Sequence, residues 1–114
     1  MTFKSSEDNG VLVLKIEGNL IGEEVGSGLL DSANDAINNG TALCAIDIGA
    51  VKYINSSGIG VLITLLTKFR NQEGEVVIVN PSEHVKKLLI ITKLTAIFKI
   101  ADTVEQAIQE LKSW

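Results

Sequence analysis

The stretch best suited to carry chemistry is residues 53–60 (YINSSGIG), in which two adjacent hydroxyls, Ser56 and Ser57, lie between an asparagine and two glycines. An apolar run precedes this stretch and a helical pattern follows it. We therefore expect the serines at a helix N-terminus, where backbone amides are free and the helix dipole is positive. A phosphoryl group on a serine there would accept hydrogen bonds from those amides. Simple helix capping by Asn55 or Ser56 explains the same residues, and the chemistry alone favours that interpretation.

Other side chains that commonly carry catalysis are few and isolated. His84, the only histidine, is expected on the exposed first turn of a helix, and Cys44, the only cysteine, lies in an apolar run without an activating neighbour. Asp47 is the candidate acceptor of a receiver-type phosphotransfer domain, but no acidic pair follows the first predicted strand to bind the metal. We expect nearby amides to satisfy this carboxylate. The sequence thus predicts no enzymatic activity, no metal and no cofactor.

The first half of the chain has the patterns of a hairpin, a helix and a buried strand. The Asn-Gly pair at 9–10 favours a type I′ turn, so residues 2–7 are expected to pair antiparallel with a strand at 11–17. Apolar residues recur with helical spacing within 22–40, although two internal glycines weaken this helix. Residues 43–48 are apolar almost throughout, as expected of a central strand.

The second half repeats the alternation of helix and strand. A helix is expected to begin near Ser57, followed by a strand at 75–79, a helix capped by Asn80, a strand at 97–100 and a last helix capped by Thr103. A hairpin followed by this alternation predicts an α/β fold with a mixed sheet, whose parallel strands are joined by right-handed helical crossovers. The residues predicted on the buried face of the helix after the serines are Ile59, Leu62, Ile63, Leu66 and Phe69.

Composition predicts a folded acidic protein. The 114 residues match the size of one domain, and 46% hydrophobic with 21% charged residues is the balance of a chain that buries a core. Ten basic against 14 acidic residues give a net charge of -4, which repels nucleic acid. The N-terminus lacks a signal-peptide pattern and no run is long enough to span a bilayer. A cytoplasmic location is the resulting expectation.

Three stretches together resemble the bacterial anti-sigma factor antagonists of the STAS type. They are residues 45–62 (AIDIGAVKYINSSGIGVL), 85–89 (VKKLL) and 97–108 (IFKIADTVEQAI). The resemblance extends over nearly the whole chain, and the combination is far more specific than any one stretch. Two positions depart from the family pattern: Asn55 stands where aspartate is usual, and Ile21 stands where an acidic residue is common. Asparagine still caps a helix but carries no negative charge.

The resemblance implies a single STAS domain over residues 1–114 and a partner-switching cycle. In such a cycle the unphosphorylated antagonist binds a serine kinase that doubles as an anti-sigma factor, and this binding releases the sigma factor. Phosphorylation by the kinase ends the association, and a phosphatase restores it. The family's acceptor corresponds to Ser57. A STAS module in another assembly, such as a transporter tail, a stress-sensing complex or a lipid-handling complex, is the alternative.

Helix geometry also predicts a docking surface beside the serines. Val61 and Leu65 project away from the predicted buried face of the helix, so we expect them to be exposed next to Ser57. The predicted partner-binding residues are Asn55, Ser56, Ser57, Gly58, Val61 and Leu65.

Overall fold

A five-stranded mixed sheet with strand order β1-β2-β3-β4-β5 forms the centre of the protein. The computed structural model describes residues 2–20 and 23–113, with side chains in the first helix from residue 26 onward. The strands are β1 (Thr2–Asp8), β2 (Val11–Leu20), β3 (Leu43–Ile54), β4 (Glu75–Val79) and β5 (Lys99–Ala101). The helices are α1 (Glu23–Asn38), α2 (Ser56–Arg70), α3 (Glu83–Ile91) and α4 (Val104–Lys112).

The predicted hairpin and the predicted mixed sheet are confirmed. β1 pairs antiparallel with β2, and the remaining neighbours in the sheet pair in parallel. Asn9 and Gly10 both have positive φ angles, of 54° and 80°, which a type I′ turn requires. The Asn-Gly pair therefore sets the register of the first two strands.

Helices cover both faces of the sheet. One core lies between the sheet and helices α1, α2 and α3, and a smaller core lies between the opposite face and α4. Side chains of β3 alternate between these cores, with Cys44 and Ile46 in the larger and Ala45 in the smaller. This burial on both sides explains why residues 43–48 are apolar nearly throughout.

Four of the five strands have limits different from those predicted, and β1 and β2 run on to Asp8 and Leu20 instead of ending at residues 7 and 17. β3 runs on to Ile54 instead of ending at residue 48, and it keeps its pairing with β2 through register shifts near Glu17 and Leu20. β5 begins at Lys99, because a short 3₁₀ turn occupies Leu94–Ala96. The serines are thus joined to the sheet by Asn55 alone.

The helix caps agree with prediction in one case and differ in the other. Thr103 caps α4 by accepting a hydrogen bond from the amide of Gln106 at 3.1 Å, as predicted. The predicted cap of α3 by Asn80 is wrong, because Asn80 has a left-handed φ of 54° and its amide donates to the carbonyl of Ala101. Ser82 caps α3 instead, accepting from the amide of Val85.

An ion pair links the C-terminus of α2 to the start of β4. The Glu75 side chain is almost fully buried, and its Oε1 atom lies 3.2 Å from Nε of Arg70. The same oxygen accepts a hydrogen bond from the amide of Val76, while the Arg70 guanidinium donates to the carbonyl of Ile97 at 2.8 Å. Arg70 therefore neutralises a buried carboxylate and holds the segment before β5.

We expect Arg70→Met to destabilise the protein by about 1–3 kcal/mol, because it leaves the carboxylate of Glu75 buried without a cationic partner. The double variant Arg70→Met/Glu75→Gln should recover part of this loss. Chemical denaturation of the three proteins measures the free energies of unfolding. If the double variant is as unstable as Arg70→Met, the buried charge is not the cause.

Candidate functional site

The serine stretch lies at the carboxyl edge of the sheet, where β3 passes into α2. Asn55 has an extended backbone, with φ of -109° and ψ of -175°, and caps the helix through Oδ1, which accepts from the amide of Gly58 at 2.9 Å. Its backbone carbonyl accepts the first bond of the helical ladder, from Ile59, at 2.9 Å. Of the two capping residues considered from the sequence, Asn55 is the one used.

Ser56 and Ser57 occupy the first two positions of α2, and both are exposed. Their amides precede the helical ladder, so they have no acceptor within the helix. The first turn contains no acidic residue, and among the described residues neither hydroxyl takes part in a hydrogen bond. No acidic residue of the first turn therefore offsets the positive end of the helix dipole beside these two hydroxyls. The arrangement can accept an anionic group at little cost to the fold.

Gly58 is buried, contrary to its predicted place on the partner-binding surface. A Cβ atom at this position would overlap the backbone carbonyl oxygen of Leu20 and lie 2.8 Å from the side chain of Ile54. Gly58 therefore positions the helix start against the end of β2. Gly60 differs: a Cβ atom there would meet nothing within 4 Å. The fold requires the first glycine and leaves the second facing open space.

A groove of about 510 Å³ runs between α1 and α2, and Ser57 lies in its wall. The helices approach closely because Gly26 has no side chain: a Cβ atom there would lie 2.6 Å from a methyl carbon of Val61. Val61 is half-buried and packs against the larger core. It therefore forms part of the groove wall, not the freely exposed site that was predicted.

The predicted exposure of Leu65 is wrong, because the side chain is fully buried in the larger core. Ile63, predicted to be buried, is 37% exposed. Both errors have one cause. α2 packs against α1 as well as against the sheet, so its buried face is turned toward α1 and takes in Leu65 at the expense of Ile63. Only the α1 contact, which sequence periodicity does not reveal, distinguishes the two faces.

The other candidates for chemistry are held in structural roles. Oδ1 of Asp47 accepts from the amide of Gly49 at 2.9 Å, as expected of a satisfied carboxylate. Burial raises the pKa of the Cys44 thiol, so the group stays neutral. His84 is exposed on the first turn of α3 and packs edge-on against Tyr53, with ring centroids 5.7 Å apart.

Within residues 2–20 and 23–113, no group of three or more His, Cys, Asp or Glu side chains is placed to hold a metal ion. Among the helices described, none has the length and apolar character needed to cross a membrane.

Ile21, the second departure from the family pattern, lies outside the described residues. Tyr53, near the end of β3, is 58% exposed and was not among the predicted partner-binding residues.

The chain is similar to known proteins in both sequence and fold. The family model for the STAS domain matches residues 3–107. A protein of Thermotoga neapolitana named "Putative anti-sigma factor antagonist TM1081 homolog" is 30% identical over 79 residues, which are 69% of this chain and 70% of that protein. The crystal structure of TM1081 from Thermotoga maritima, which bears the same designation, has a TM-score of 0.82 at 27% identity and covers 96% of this chain and 94% of its own.

The anti-sigma factor antagonist SpoIIAA has the same fold. Its unphosphorylated form has a TM-score of 0.84 at 18% identity, over 99% of this chain and 98% of SpoIIAA. Its phosphorylated form, from Bacillus, has a TM-score of 0.75, also at 18% identity, over 96% and 98% of the two chains. At this identity the likeness concerns the fold alone.

The two glycines of α2 should respond in opposite ways to the same substitution. We expect Gly58→Ala to destabilise the protein by about 3 kcal/mol or more, because the new methyl group overlaps the backbone of Leu20. Gly60→Ala should instead stabilise it by about 0.5–1 kcal/mol, because alanine favours the helix and meets no neighbour. Thermal unfolding of the two variants measures both changes. Equal effects would contradict the close approach between β2 and α2.

Proposed function

The chain belongs to the STAS domain family, and on that premise we propose that it acts in the cytoplasm as an anti-sigma factor antagonist switched by phosphorylation of Ser57. In the unphosphorylated state it binds a serine kinase that doubles as an anti-sigma factor, and a sigma factor is thereby released. The kinase transfers a phosphoryl group to Ser57, which ends the association, and a serine phosphatase removes it. The protein itself has no catalytic role in this cycle.

The observation that carries the proposal is the exposed hydroxyl of Ser57 on the first turn of a helix that has no acidic residue in that turn. A kinase needs an accessible hydroxyl, and the resulting phosphate needs hydrogen-bond donors. Free amides of the first turn supply such donors, and the helix dipole favours the added negative charge. The modified protein should therefore keep its fold.

The same modification changes the surface that a partner meets. A phosphoserine carries about -1.5 to -2 charges at neutral pH, and a partner that covers it must remove water from that charge. Gly60 and Ile63 lie near the serines on the outer face of α2 and offer open backbone and a partly exposed apolar side chain. We assign the docking surface to Ser56, Ser57, Gly60 and Ile63, with exposed Asn55 at its edge.

Two of the similar proteins support different parts of this proposal. The Thermotoga neapolitana protein is named as an anti-sigma factor antagonist. Its sequence identity of 30%, over 69% of this chain and 70% of its own, supports the general role. SpoIIAA has been described in unphosphorylated and phosphorylated forms, which supports a phosphorylation switch on this fold. The proposed acceptor rests on the position of Ser57 in α2.

Incubation with candidate serine kinases from the same genome should add a single phosphate, located by peptide mapping on Ser57. Ser57→Ala should not be modified, whereas Ser56→Ala, the matched control on the neighbouring exposed serine, should be modified normally. Phosphate found only on Ser56 or on a distant residue would remove Ser57 from the mechanism.

Binding to the same kinase should follow the charge at Ser57. Calorimetry should give a Kd weakened roughly tenfold or more for Ser57→Asp, while Ser57→Ala binds persistently. Thermal unfolding should give similar Tm values for both variants, because the helix N-terminus accommodates either side chain. The same Kd for Asp, Ala and wild type would rule out an electrostatic switch at this residue.

The docking surface separates from the core in a paired test on α2. Ile63→Ser should weaken kinase binding with little loss of stability, because the side chain is partly exposed. Leu65→Ala should destabilise the protein by about 2–5 kcal/mol, as truncation of a fully buried leucine does. If Ile63→Ser binds the kinase normally, the partner approaches from another side.

A further inference from the structure

The outer face of α3 contains the most exposed large apolar side chain described. Ile91 is 76% exposed and its neighbour Ile90 is 55% exposed. On the opposite side of the same helix, Val85 and Leu89 fill the larger core, so α3 is already anchored without the two isoleucines. Two adjacent exposed isoleucines lower the solubility of a protein, and neither side chain belongs to one of the two cores.

Lysines surround these isoleucines. Lys86 and Lys87 precede Ile90 and Ile91 by one helical turn, and Lys93 follows them, with all three side chains exposed. The only ion pair among the described residues joins Arg70 and Glu75, so these lysines have no acidic partner there. On a protein with a net charge of -4, these three lysines form a local region of positive charge. We call Lys86, Lys87, Ile90, Ile91 and Lys93 the α3 patch.

We propose that the α3 patch is a second binding surface, and that it receives an acidic segment of a partner protein that carries exposed apolar side chains. Carboxylates of the partner would face the lysines, and its apolar side chains would cover the isoleucines. Charge complementarity steers such an encounter, and apolar burial slows its dissociation. The area is small, which suits a transient contact.

The α3 patch is separate from the Ser57 surface. Ile91 lies about 10 Å along the helix axis from His84, the α3 residue whose ring packs against Tyr53 at the end of β3. The two surfaces lie on different helices and share no residue, so we expect binding at the α3 patch to be independent of phosphorylation of Ser57.

Two other occupants fit less well. A symmetric contact between two copies would place the lysines of one patch against those of the other, which is repulsive. An anionic membrane would attract the lysines, but two isoleucines on a nine-residue helix bury little apolar area, and the net charge of -4 is repelled by such a surface.

The probe is a synthetic amphipathic helical peptide with leucines on one face and glutamates on the other, titrated into the isotope-labelled chain. Amide resonances of residues 86–93 should shift, and those near Ser57 should not. Ile91→Ser should weaken binding roughly tenfold, and added salt should weaken it further. Ile63→Ser, a matched isoleucine on α2, and Ser57→Ala should bind like wild type.

A control peptide of the same composition in scrambled order should bind far more weakly. Shifts spread over the whole surface, or equal affinity for Ile91→Ser and wild type, would overturn the proposal. So would binding to phosphatidylglycerol vesicles through residues 86–93 without binding to the peptide, or self-association abolished by Ile91→Ser. None of these outcomes alters the test of Ser57, which uses a different surface and a different readout.

Discussion

The position of the serine turn, residues 55–58 at the start of α2, depends on one close contact, in which the backbone at Gly58 lies against the carbonyl of Leu20. No side chain fits between the end of β2 and the first turn of α2. Because this contact fixes where the helix begins, Asn55 is placed to cap it, and Ser56 and Ser57 are left facing solvent. The hydroxyls of Ser56 and Ser57 are exposed because Gly58, the next residue, is buried against the end of β2.

The two glycines of α1 lower its intrinsic helix propensity, but they allow it to pack closely against its neighbours. Gly26 admits a methyl group of Val61, and a Cβ atom at Gly28 would lie 2.9 Å from the ring of Phe3. Each glycine gives up helix propensity of about 1 kcal/mol relative to alanine. In exchange α1 approaches α2 on one side and β1 on the other, and the approach to α2 shapes the groove beside Ser57.

Local patterns predicted the elements that local interactions determine. The hairpin at Asn9, the order of strands and helices and the cap at Thr103 each depend on residues near in sequence, and each is confirmed. The sequence also placed the serines at a helix start. The exchanged burial of Ile63 and Leu65 was not predictable in this way, because it depends on which neighbour covers the side of α2. Periodicity identifies an apolar face without naming the element that packs on it.

The sheet order has a consequence for synthesis of the protein. Every strand pairs with the one made just before it, so each new strand can join an existing edge as it leaves the ribosome. The serine turn rests on β2 and β3, and α2 packs against α1 through Val61; all three supporting elements precede α2 in the chain. Its supports therefore emerge before the helix that carries the hydroxyls. Elements made later, β5 and α4, close the far edge and the opposite face, so the turn has its local framework before translation ends.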